Sequence, residues 1–388
     1  MRPGGHALVS RLAAAAAATL ALAVLAACGS SGSKVGLSGD KPSVAHNGPI
    51  AYERFASDGD DGTTAQLYVR QPDGATRQIT HVKGGAFNPA WSFDGSRIAF
   101  ESGASVPRPG LTSAITPNAA SAAGGRQIFT IDADGSHLHR LTAGCAATAG
   151  CVADVAPAWA PDDHSIGFFR VHGPFVNEGA PHEPLLLATS IDLVVIGSDG
   201  SDERVVEHWR LDPQPGVGAP AWSPDGKQIA AALVSLHHPT KHASYNAAIH
   251  VVPAAGGAAR RISPWAIGAA NPSWSRDGRH IAFNSFGGHT PYLYVVDPDG
   301  QHLKPIVRPN MIRNHIGWVD APVWSPDGRQ IAFGTGTAPC DLARHPLCRR
   351  DPDFTPLDIY VIGADGLGLR RLTSAPQFES HPAWAPER

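Results

Sequence analysis

The sequence lacks any concentration of charge of one sign. Its 388 residues carry 31 Lys and Arg against 34 Asp and Glu, which gives a formal net charge of −3, and acids and bases are mixed along the chain. There is no basic stripe to neutralise phosphates and no acidic tail to bind a polycation. We therefore expect no nucleic-acid partner.

The common catalytic signatures are also missing. The chain contains no Gly-x-Ser-x-Gly elbow, no phosphate-binding Gly loop, no His-Glu-x-x-His and no Cys-x-x-Cys. These absences argue against an α/β-hydrolase, a nucleotide-binding enzyme, a zincin and a zinc-ribbon site. The sequence therefore predicts a protein that is not an enzyme of these classes.

What the sequence does have is a repeat. A small residue, Pro, a small residue and Trp precede a Ser-Pro-Asp-Gly-like turn and an apolar run, as in "APAWSPDGKQIAAAL" from Ala219. The phrase occurs six times, with its tryptophans at Trp91, Trp159, Trp222, Trp274, Trp324 and Trp384. Self-similarity at this spacing is typical of propeller blades.

A second phrase lies between successive copies of the first. It has the form strand, Asp-Gly turn, strand, as in "IYVIGADGLGLRRLT". Together the two phrases give four strands per repeat, which we name A (around Trp), B, C and D. Strands B, C and D stand alone before the first Trp phrase, and the chain stops after a lone strand A, "HPAWAPER". We therefore predict an all-β, six-bladed β-propeller whose C-terminal strand joins the N-terminal strands.

The repeats resemble those of the TolB-like, or WD-like, β-propellers, in which Pro-x-Trp-Ser-Pro-Asp-Gly precedes Ile-Ala-Phe. The resemblance spans about residues 48–388 and implies a propeller that binds proteins at the cell envelope. Some copies depart from the pattern, so that we expect altered local turns there. Phe93 and Arg276 replace the turn Pro, Asp163 replaces the turn Gly, and Pro253-Ala254-Ala255 lacks the Asp.

The first residues have the character of an export signal. Arginines near Met1 are followed by the apolar run "LAAAAAATLALAVL", which is too short for an ordinary spanning helix, and by Leu-Ala-Ala-Cys. The pattern is similar to a bacterial lipoprotein signal. We predict a signal peptide over 1–27, a lipidated Cys28 with a flexible tether over 28–47, and the propeller over 48–388.

The remaining cysteines fit an exported protein. Cys145 and Cys151 lie close together in one loop, and Cys340 and Cys348 lie in another. An even number of cysteines outside the cytoplasm favours disulfides, so we predict two local pairs. A zinc site built from all four is the alternative.

Loop length divides the two faces of the predicted disc. The A–B and C–D turns are tight, whereas long loops fall between strands B and C and between D and A, so we expect the long-loop face to bind the partner. The residues before each strand A proline should ring its central mouth. We name Asn88, Asn271 and His381 from this ring, with His315 and Trp318 from a neighbouring loop, as candidate binding residues.

The function predicted from these features is a membrane-anchored, extracytoplasmic binding module, and we expect it to be monomeric. Its partner would be an envelope protein or a cell-wall glycan, and no cofactor is required. The alternative is a metal-dependent polysaccharide lyase or hydrolase, in which His81, His289, His315 and His381 would converge on a divalent metal at the mouth.

Overall fold

The structure is a computed structural model of the chain, and it is all-β. It describes residues 47–55, 65–103, 125–143, 150–173, 176–177, 186–210, 212–215, 218–235, 246–285, 292–307, 319–335, 357–375 and 377–386. The helical structure in these ranges is a short 3-10 turn, Trp265–Ile267. No helix in the described ranges has the length and apolar character needed to cross a membrane. The predicted signal peptide and all of the predicted tether except Asn47 lie outside those ranges.

Six four-stranded antiparallel blades make up the propeller, as the repeat predicts. Blade 1 consists of β27 (Glu379–Trp384), β1 (Ile50–Phe55), β2 (Ala65–Arg70) and β3 (Thr76–Gln78). Blade 2 consists of β4 (Phe87–Trp91), β5 (Arg97–Ser102), β6 (Gln127–Asp132) and β7 (His139–Arg140). Blade 3 consists of β8 (Cys151–Trp159), β9 (Ser165–His172), β12 (Ser190–Gly197) and β13 (Arg204–Arg210). A small hairpin, β10 (Val176–Asn177) and β11 (Leu186–Leu187), is inserted in blade 3.

The remaining blades follow the same order. In blade 4, strand A is split into β14 (Gln214–Pro215) and β15 (Ala221–Trp222), which both pair with β16 (Gln228–Val234); β17 (Ala247–Pro253) and β18 (Arg260–Arg261) complete it. Blade 5 consists of β19 (Ala269–Trp274), β20 (Ile281–Ser285), β21 (Tyr292–Val296) and β22 (Lys304–Val307). Blade 6 consists of β23 (Val319–Trp324), β24 (Gln330–Thr335), β25 (Asp358–Gly363) and β26 (Arg370–Arg371).

The ring closes where the C-terminal strand β27 pairs with β1. Ile50 lies opposite Trp384 and Ala51 lies opposite Ala383. The Ala385 N–H donates to the Pro49 carbonyl at 2.7 Å and extends this pairing. The closure predicted from the split repeat is therefore confirmed, and it leaves no strand of blade 1 without its partner.

The Ser-Pro-Asp-Gly turns are held by the same bonds wherever the phrase occurs. In blade 4 the Ser223 hydroxyl donates to Asp225 at 2.6 Å, and the Lys227 N–H donates to the same carboxylate at 3.0 Å. Gly226 takes a φ of +70°, which favours glycine. At the departure in blade 3, Asp163 takes a φ of +57° and keeps the turn, so the altered local geometry expected there does not occur.

The repeated tryptophans pack between neighbouring blades. Five of the six are buried, and Trp274 is half-buried. The indole N–H of Trp91 donates to the Ala383 carbonyl at 3.1 Å, and that of Trp222 donates to Ala158 at 3.2 Å. Each of these bonds runs from one strand A to the strand A of the preceding blade. The tryptophans therefore form the core of the ring, as their place beside small residues predicts.

In five of the six blades, the pairing of strand A with strand B shifts register at the strand A proline and the residue before it. Five of the six residues at this position have a positive φ, between 42° and 57°: Asn88, Ala156, Asn271, Ala321 and His381. In blade 4 the preceding residue, Gly218, takes the positive φ instead. The irregular backbone therefore falls at the same place in the repeat in these blades.

Candidate functional site

A central cavity of about 240 Å³ runs between the strands A of the six blades. Its wall is formed by the repeated prolines and tryptophans, and the residues before the prolines stand at one end. We call that end the loop-side mouth, defined by Asn88, Ala156, Ala219, Asn271, Ala321 and His381. The last residues of strands B and the first residues of strands A lie at this face.

Polar side chains occupy three of the six positions of the loop-side mouth. Asn88, Asn271 and His381 all line the cavity and are 4%, 6% and 8% exposed. The other positions carry alanine. The structure therefore brings together three of the five residues that the sequence predicts for binding. The other two, His315 and Trp318, lie outside the residues that the structure describes.

Two carboxylates approach the imidazole of His381. Its Nδ1 lies 3.4 Å from Glu53 Oε1 and 3.8 Å from Asp320 Oδ2, and it also contacts the Ser380 hydroxyl at 3.1 Å. Glu53, Asp320 and His381 therefore form a cluster of titratable side chains at the loop-side mouth.

Glu53 is fully buried and also organises the backbone of the mouth. Its carboxylate accepts the backbone N–H of Asn88 at 2.7 Å and the Ser380 hydroxyl at 3.2 Å. Glu101 repeats the arrangement one blade on, where it accepts the backbone N–H of Ala156 at 2.7 Å. A carboxylate from strand B thus holds the bulge of the next blade.

Asn271 links the cluster to blade 5. Its Nδ2 donates to Asn284 at 2.9 Å and to Asp320 at 3.3 Å, and Asn284 donates to the Val319 carbonyl at 2.9 Å. These bonds connect blades 5 and 6, and His381 continues the connection to blade 1. The polar arc of the mouth therefore extends over blades 5, 6, 1 and 2.

Asn88 presents a buried polar atom at this arc. Its backbone N–H is bonded to Glu53, but its side-chain Nδ2 has no hydrogen-bond partner among the residues that the structure describes. A buried donor in this state costs free energy unless water or a ligand supplies an acceptor. The side chain lines the cavity, so that an acceptor on a bound molecule could meet it there.

The other arc of the mouth is apolar. Glu53, Glu101 and Asn284 are each the fourth residue of an Ile-Ala-x-x stretch in strand B, and the same position carries Phe169 in blade 3 and Ala232 in blade 4. Both of these side chains are buried. A ligand at the loop-side mouth would therefore meet charge and amide groups on one side and apolar surface on the other.

The space at the opposite end of the cavity is smaller. A second space of about 120 Å³ is lined by the tryptophans and by residues of the A–B turns. We call this end the turn-side mouth, defined by the residues that follow the turn serine or its equivalent: Phe93, Pro161, Pro224, Arg276, Pro326 and Pro386. The guanidinium carbon of Arg276 lies 5.7 Å from the centre of the Phe93 ring. Blades 2 and 5 are opposite each other, so this cation–π contact crosses the axis.

Several predicted site residues are not brought into this cluster. The Nδ1 of His81 contacts the Gln78 side chain at 3.1 Å and its side chain is exposed, while His289 lies outside the described ranges. Cys151 begins β8; Cys28, Cys145, Cys340 and Cys348 all lie beyond what the structure describes, so lipidation and both disulfides stay predictions. Among the described residues no three His, Cys, Asp or Glu side chains form a group that could hold a metal ion.

Glu53 and Asp320 were missed by the analysis of the sequence. A signal for Glu53 was present, because a Glu closes the otherwise apolar phrase Ile-Ala-Tyr-Glu in blade 1 and again in Ile-Ala-Phe-Glu in blade 2. A charge in a buried strand needs a partner, and its partner is the bulge of the next blade. Asp320 had no comparable signal.

Comparison with known proteins supports the fold and its repeat type. No protein-family model matches the chain. The Tol-Pal system protein TolB of Anaeromyxobacter sp. (strain K) is 31% identical over 114 residues, which is 29% of this chain and 21% of that protein. The chain thus matches about a fifth of the length of this relative. TolB of Francisella tularensis subsp. mediasiatica is 30% identical over 105 residues, or 27% of this chain and 19% of that protein.

Solved structures show the same architecture. TolB from Acinetobacter baumannii superposes with a TM-score of 0.57 at 17% identity and covers 87% of this chain and 67% of that one. The chain is therefore similar to TolB in a stretch of its sequence and in the fold of its propeller.

Proposed function

We propose that this TolB-like propeller is an extracytoplasmic binding module of the cell envelope, and that its loop-side mouth binds a partner protein. The observation that carries the proposal is the buried polar arc around His381, which leaves the Asn88 Nδ2 without an acceptor at the cavity. Polar groups buried at such cost are typical of binding sites. The TolB relatives are named for the Tol-Pal envelope system, which supports a protein partner over a glycan.

The partner surface of the proposed module combines two chemistries. The negative charge of Glu53 and Asp320 favours a cationic or hydrogen-bond-donating group, and Asn88 favours an acceptor such as a peptide carbonyl. Apolar side chains would pack beside Ala219 and the prolines of the wall. A polypeptide segment offers all three kinds of group, which is the reason we favour a protein.

The proposal includes a lipid on Cys28 that holds the protein at a membrane. The first described residue, Asn47, donates to Asp327 at 3.4 Å and accepts the Asp327 backbone N–H at 3.3 Å. Asp327 belongs to the A–B turn of blade 6, on the face opposite the loop-side mouth. A tether that joins the propeller there leaves the loop-side mouth open to a partner.

Site-specific photo-crosslinking tests where the partner binds. A photoreactive residue at Ala219, which lines the loop-side mouth, should capture the partner in intact cells. The matched control carries the same residue at Lys227, an exposed position of a tight turn, and should capture little. Substituting His381→Ala in the Ala219 variant should weaken the adduct. Equal capture at both positions, or capture that ignores His381, would overturn the proposal.

Membrane attachment is tested separately. The Cys28→Ser variant should leave the membrane fraction, and mass spectrometry of the wild-type N-terminus should find Cys28 carrying a diacylglycerol group. A soluble wild-type protein, or an unmodified Cys28 at an intact membrane, would remove the anchor from the proposal. The crosslinking result would still decide the binding face.

A further inference from the structure

A basic side chain occupies the same place in strand D of every blade, two residues before an Ile, Leu or Val. The six residues are Arg77, His139, Arg204, Arg260, Lys304 and Arg370. In blade 1 the Arg77 guanidinium donates to the Asp134 carbonyl in the C–D turn of blade 2 at 2.6 Å. In blade 4 Arg260 donates in the same way to the Pro298 carbonyl of blade 5 at 2.9 Å. Each of these two arginines therefore joins its blade to the next one.

Arg370 holds this position in blade 6, but it has no such bond. Its Nη2 is buried and has no hydrogen-bond partner among the described residues. The Asp358 carboxylate is paired with the neighbouring Arg371 at 2.7 Å, and no carboxylate in the described ranges pairs with Arg370. A buried donor of a charged group costs free energy when it has no acceptor. Arg370 is therefore short of an acceptor in the folded protein.

Arg70 is a second departure from the repeat at the same junction. It ends strand C of blade 1, where the other five blades carry an apolar residue: Ile131, Ile196, Val252, Val296 and Ile362. Arg70 follows Tyr68 by two residues, and Tyr68 packs against the apolar cluster that contains Val361 of blade 6. Arg370 lies directly opposite Val361 in the pairing of β25 with β26. The two arginines are therefore on the faces of blades 1 and 6 that meet at the ring closure.

The C–D turn glycine shows where the Arg70 guanidinium lies. At the other five junctions this glycine lies against strand D of the preceding blade; a Cβ at Gly135, for example, would lie 3.1 Å from the Ile79 carbonyl oxygen. The other four glycines with such a contact are Gly200, Gly256, Gly300 and Gly366. At Gly74 the same point lies 3.3 Å from Arg70 Nη2, and no described atom of blade 6 comes within 4 Å of it. The Arg70 guanidinium therefore replaces the contact between this turn and strand D of blade 6.

The two guanidinium charges are not balanced by the turns beside them. Burial and the charge of Arg70 both lower the pKa of Arg370. The carboxylates of the two adjoining C–D turns are bonded within their own turns, since Asp73 accepts the Ala75 N–H at 2.9 Å and Asp365 accepts the Leu367 N–H at 2.9 Å. Two cations thus face one junction with one buried donor unsatisfied.

We propose that Arg70 and Arg370 bind a phosphate group at the junction between blades 6 and 1. We call the two residues the closure pair. The oxygens of a phosphate point in tetrahedral directions, so that one group can accept from two planar guanidiniums on different strands. A carboxylate has two oxygens, which the fork of a single arginine already satisfies. Phosphate is therefore the better match to the closure pair.

The phosphate could belong to a phospholipid headgroup or to a soluble molecule. The closure pair adjoins two C–D turns, which lie on the same face as the A–B turns. Asn47, where the described chain begins, is bonded to Asp327 in an A–B turn of blade 6. A membrane held at this face by the proposed lipid on Cys28 would present headgroups to the closure pair. The lipid source rests on that anchor, whereas the phosphate site does not.

Calorimetric titration of the purified full chain with inorganic phosphate tests the site. The protein is kept in a maltoside detergent and a phosphate-free buffer of constant ionic strength. Arg70→Val gives blade 1 the residue that blade 5 has, and Arg370→Met removes the other charge. Each substitution should weaken phosphate binding about tenfold or more, because each removes a charge-assisted contact.

The matched control is Arg260→Met, at the same position of strand D in blade 4. Its guanidinium is bonded to the Pro298 carbonyl, so its loss should leave the affinity for phosphate unchanged. Phosphate should also raise the melting temperature of the wild type and leave that of Arg70→Val unchanged. Equal weakening by Arg260→Met and Arg370→Met, or a wild type that binds no phosphate, would overturn the proposal.

A second titration identifies the source of the phosphate. Glycerophosphoglycerol, the headgroup of phosphatidylglycerol, replaces inorganic phosphate under the same conditions. Tighter binding of glycerophosphoglycerol, lost in Arg70→Val, would assign the closure pair to a lipid headgroup. Tighter binding of inorganic phosphate would assign it to a soluble phosphate. Both titrations are made in detergent, so that the absence of a lipid on Cys28 would leave their outcome unchanged.

Discussion

The two ends of the central cavity are built from the same strand of the repeat but use it differently. At the turn-side mouth, four of six positions keep the proline of the phrase, and the tryptophans above them pack blade against blade. At the loop-side mouth, the six positions carry two asparagines, three alanines and one histidine. Uniform positions hold the ring together, and varied positions give one end of it a specific chemistry.

The two ends also differ in the contacts that their residues require from neighbouring blades. The tryptophans need only the strand A of the preceding blade, which is similar in every blade. The loop-side mouth needs particular partners, because Glu53 must meet Asn88 and Asp320 must meet Asn271. Substitutions at the turn-side end should therefore act on stability alone, and those at the loop-side end should act on stability and on binding.

The largest effect is expected from Trp222→Ala in the wall of the cavity. The substitution removes a buried ring and its bond to the Ala158 carbonyl, and it should lower the free energy of unfolding by about 4 kcal/mol. Urea unfolding measures this loss. Trp222→Phe, which keeps most of the buried area, should lose about half as much. A loss below about 1 kcal/mol for the alanine variant would mean that the ring is not core.

A smaller effect is expected from Glu53→Gln at the loop-side mouth. Glutamine keeps the shape but offers one acceptor for the two donors Asn88 N–H and Ser380 Oγ–H, so that the free energy of unfolding should fall by about 2 kcal/mol. Partner capture at Ala219 should fall as well, because the charge beside His381 is lost.

Glu101→Gln is the matched control for that variant. Glu101 holds the bulge of blade 3 as Glu53 holds that of blade 2, and Arg126 balances its charge. We expect a similar loss of stability without a loss of partner capture. Equal effects of the two variants on capture would mean that the charge beside His381 plays no part in binding.

A third substitution should increase stability. Ala156 is held at a φ of +57°, which costs an L-residue about 1 kcal/mol relative to glycine. Glycine also gains conformational entropy in the unfolded chain, which offsets part of this relief. Ala156→Gly should therefore raise the free energy of unfolding by about 0.5 kcal/mol. Ala219→Gly is the control, because in blade 4 the positive φ belongs to Gly218. That variant should be neutral or slightly destabilised, and a gain equal to that of Ala156→Gly would contradict the backbone explanation.

The fold could be predicted from the sequence most completely where the repeat alone decides the structure. The six tryptophans, the turns and the split of blade 1 follow from patterns in phase along the chain, and all are confirmed. The placement of Asn88, Asn271 and His381 at the cavity follows from the same phase, since each precedes the proline of its strand A.

What could not be predicted depends on contacts between blades. Glu53 and Asn88 belong to different blades, and Asp320 meets His381 only because β27 closes the ring. Phe93 and Arg276 were noticed only as departures from a turn pattern. Their meeting requires that blades 2 and 5 stand opposite each other.

The smallest effect on stability, and the sharpest test of the comparison, is expected from Arg276→Ala. The cation–π contact with Phe93 is exposed to solvent, so its loss should cost about 0.5 kcal/mol. It should nevertheless open the turn-side mouth, because the contact crosses the axis of the cavity. Acrylamide should then quench tryptophan fluorescence more strongly, since Trp91, Trp222 and Trp274 line this end.

Arg279→Ala on the same turn is the control, because Arg279 faces Asp277 at 4.0 Å and not the axis. Its quenching should equal that of the wild type. Phe93→Ala should increase quenching as Arg276→Ala does. The double variant should be quenched little more than either single variant, because the loss of one residue already removes the contact. If Arg276→Ala and Arg279→Ala are quenched alike, the turn-side mouth is already open. A partner could then reach the cavity from either end. Access alone would not distinguish the loop-side mouth from the turn-side mouth.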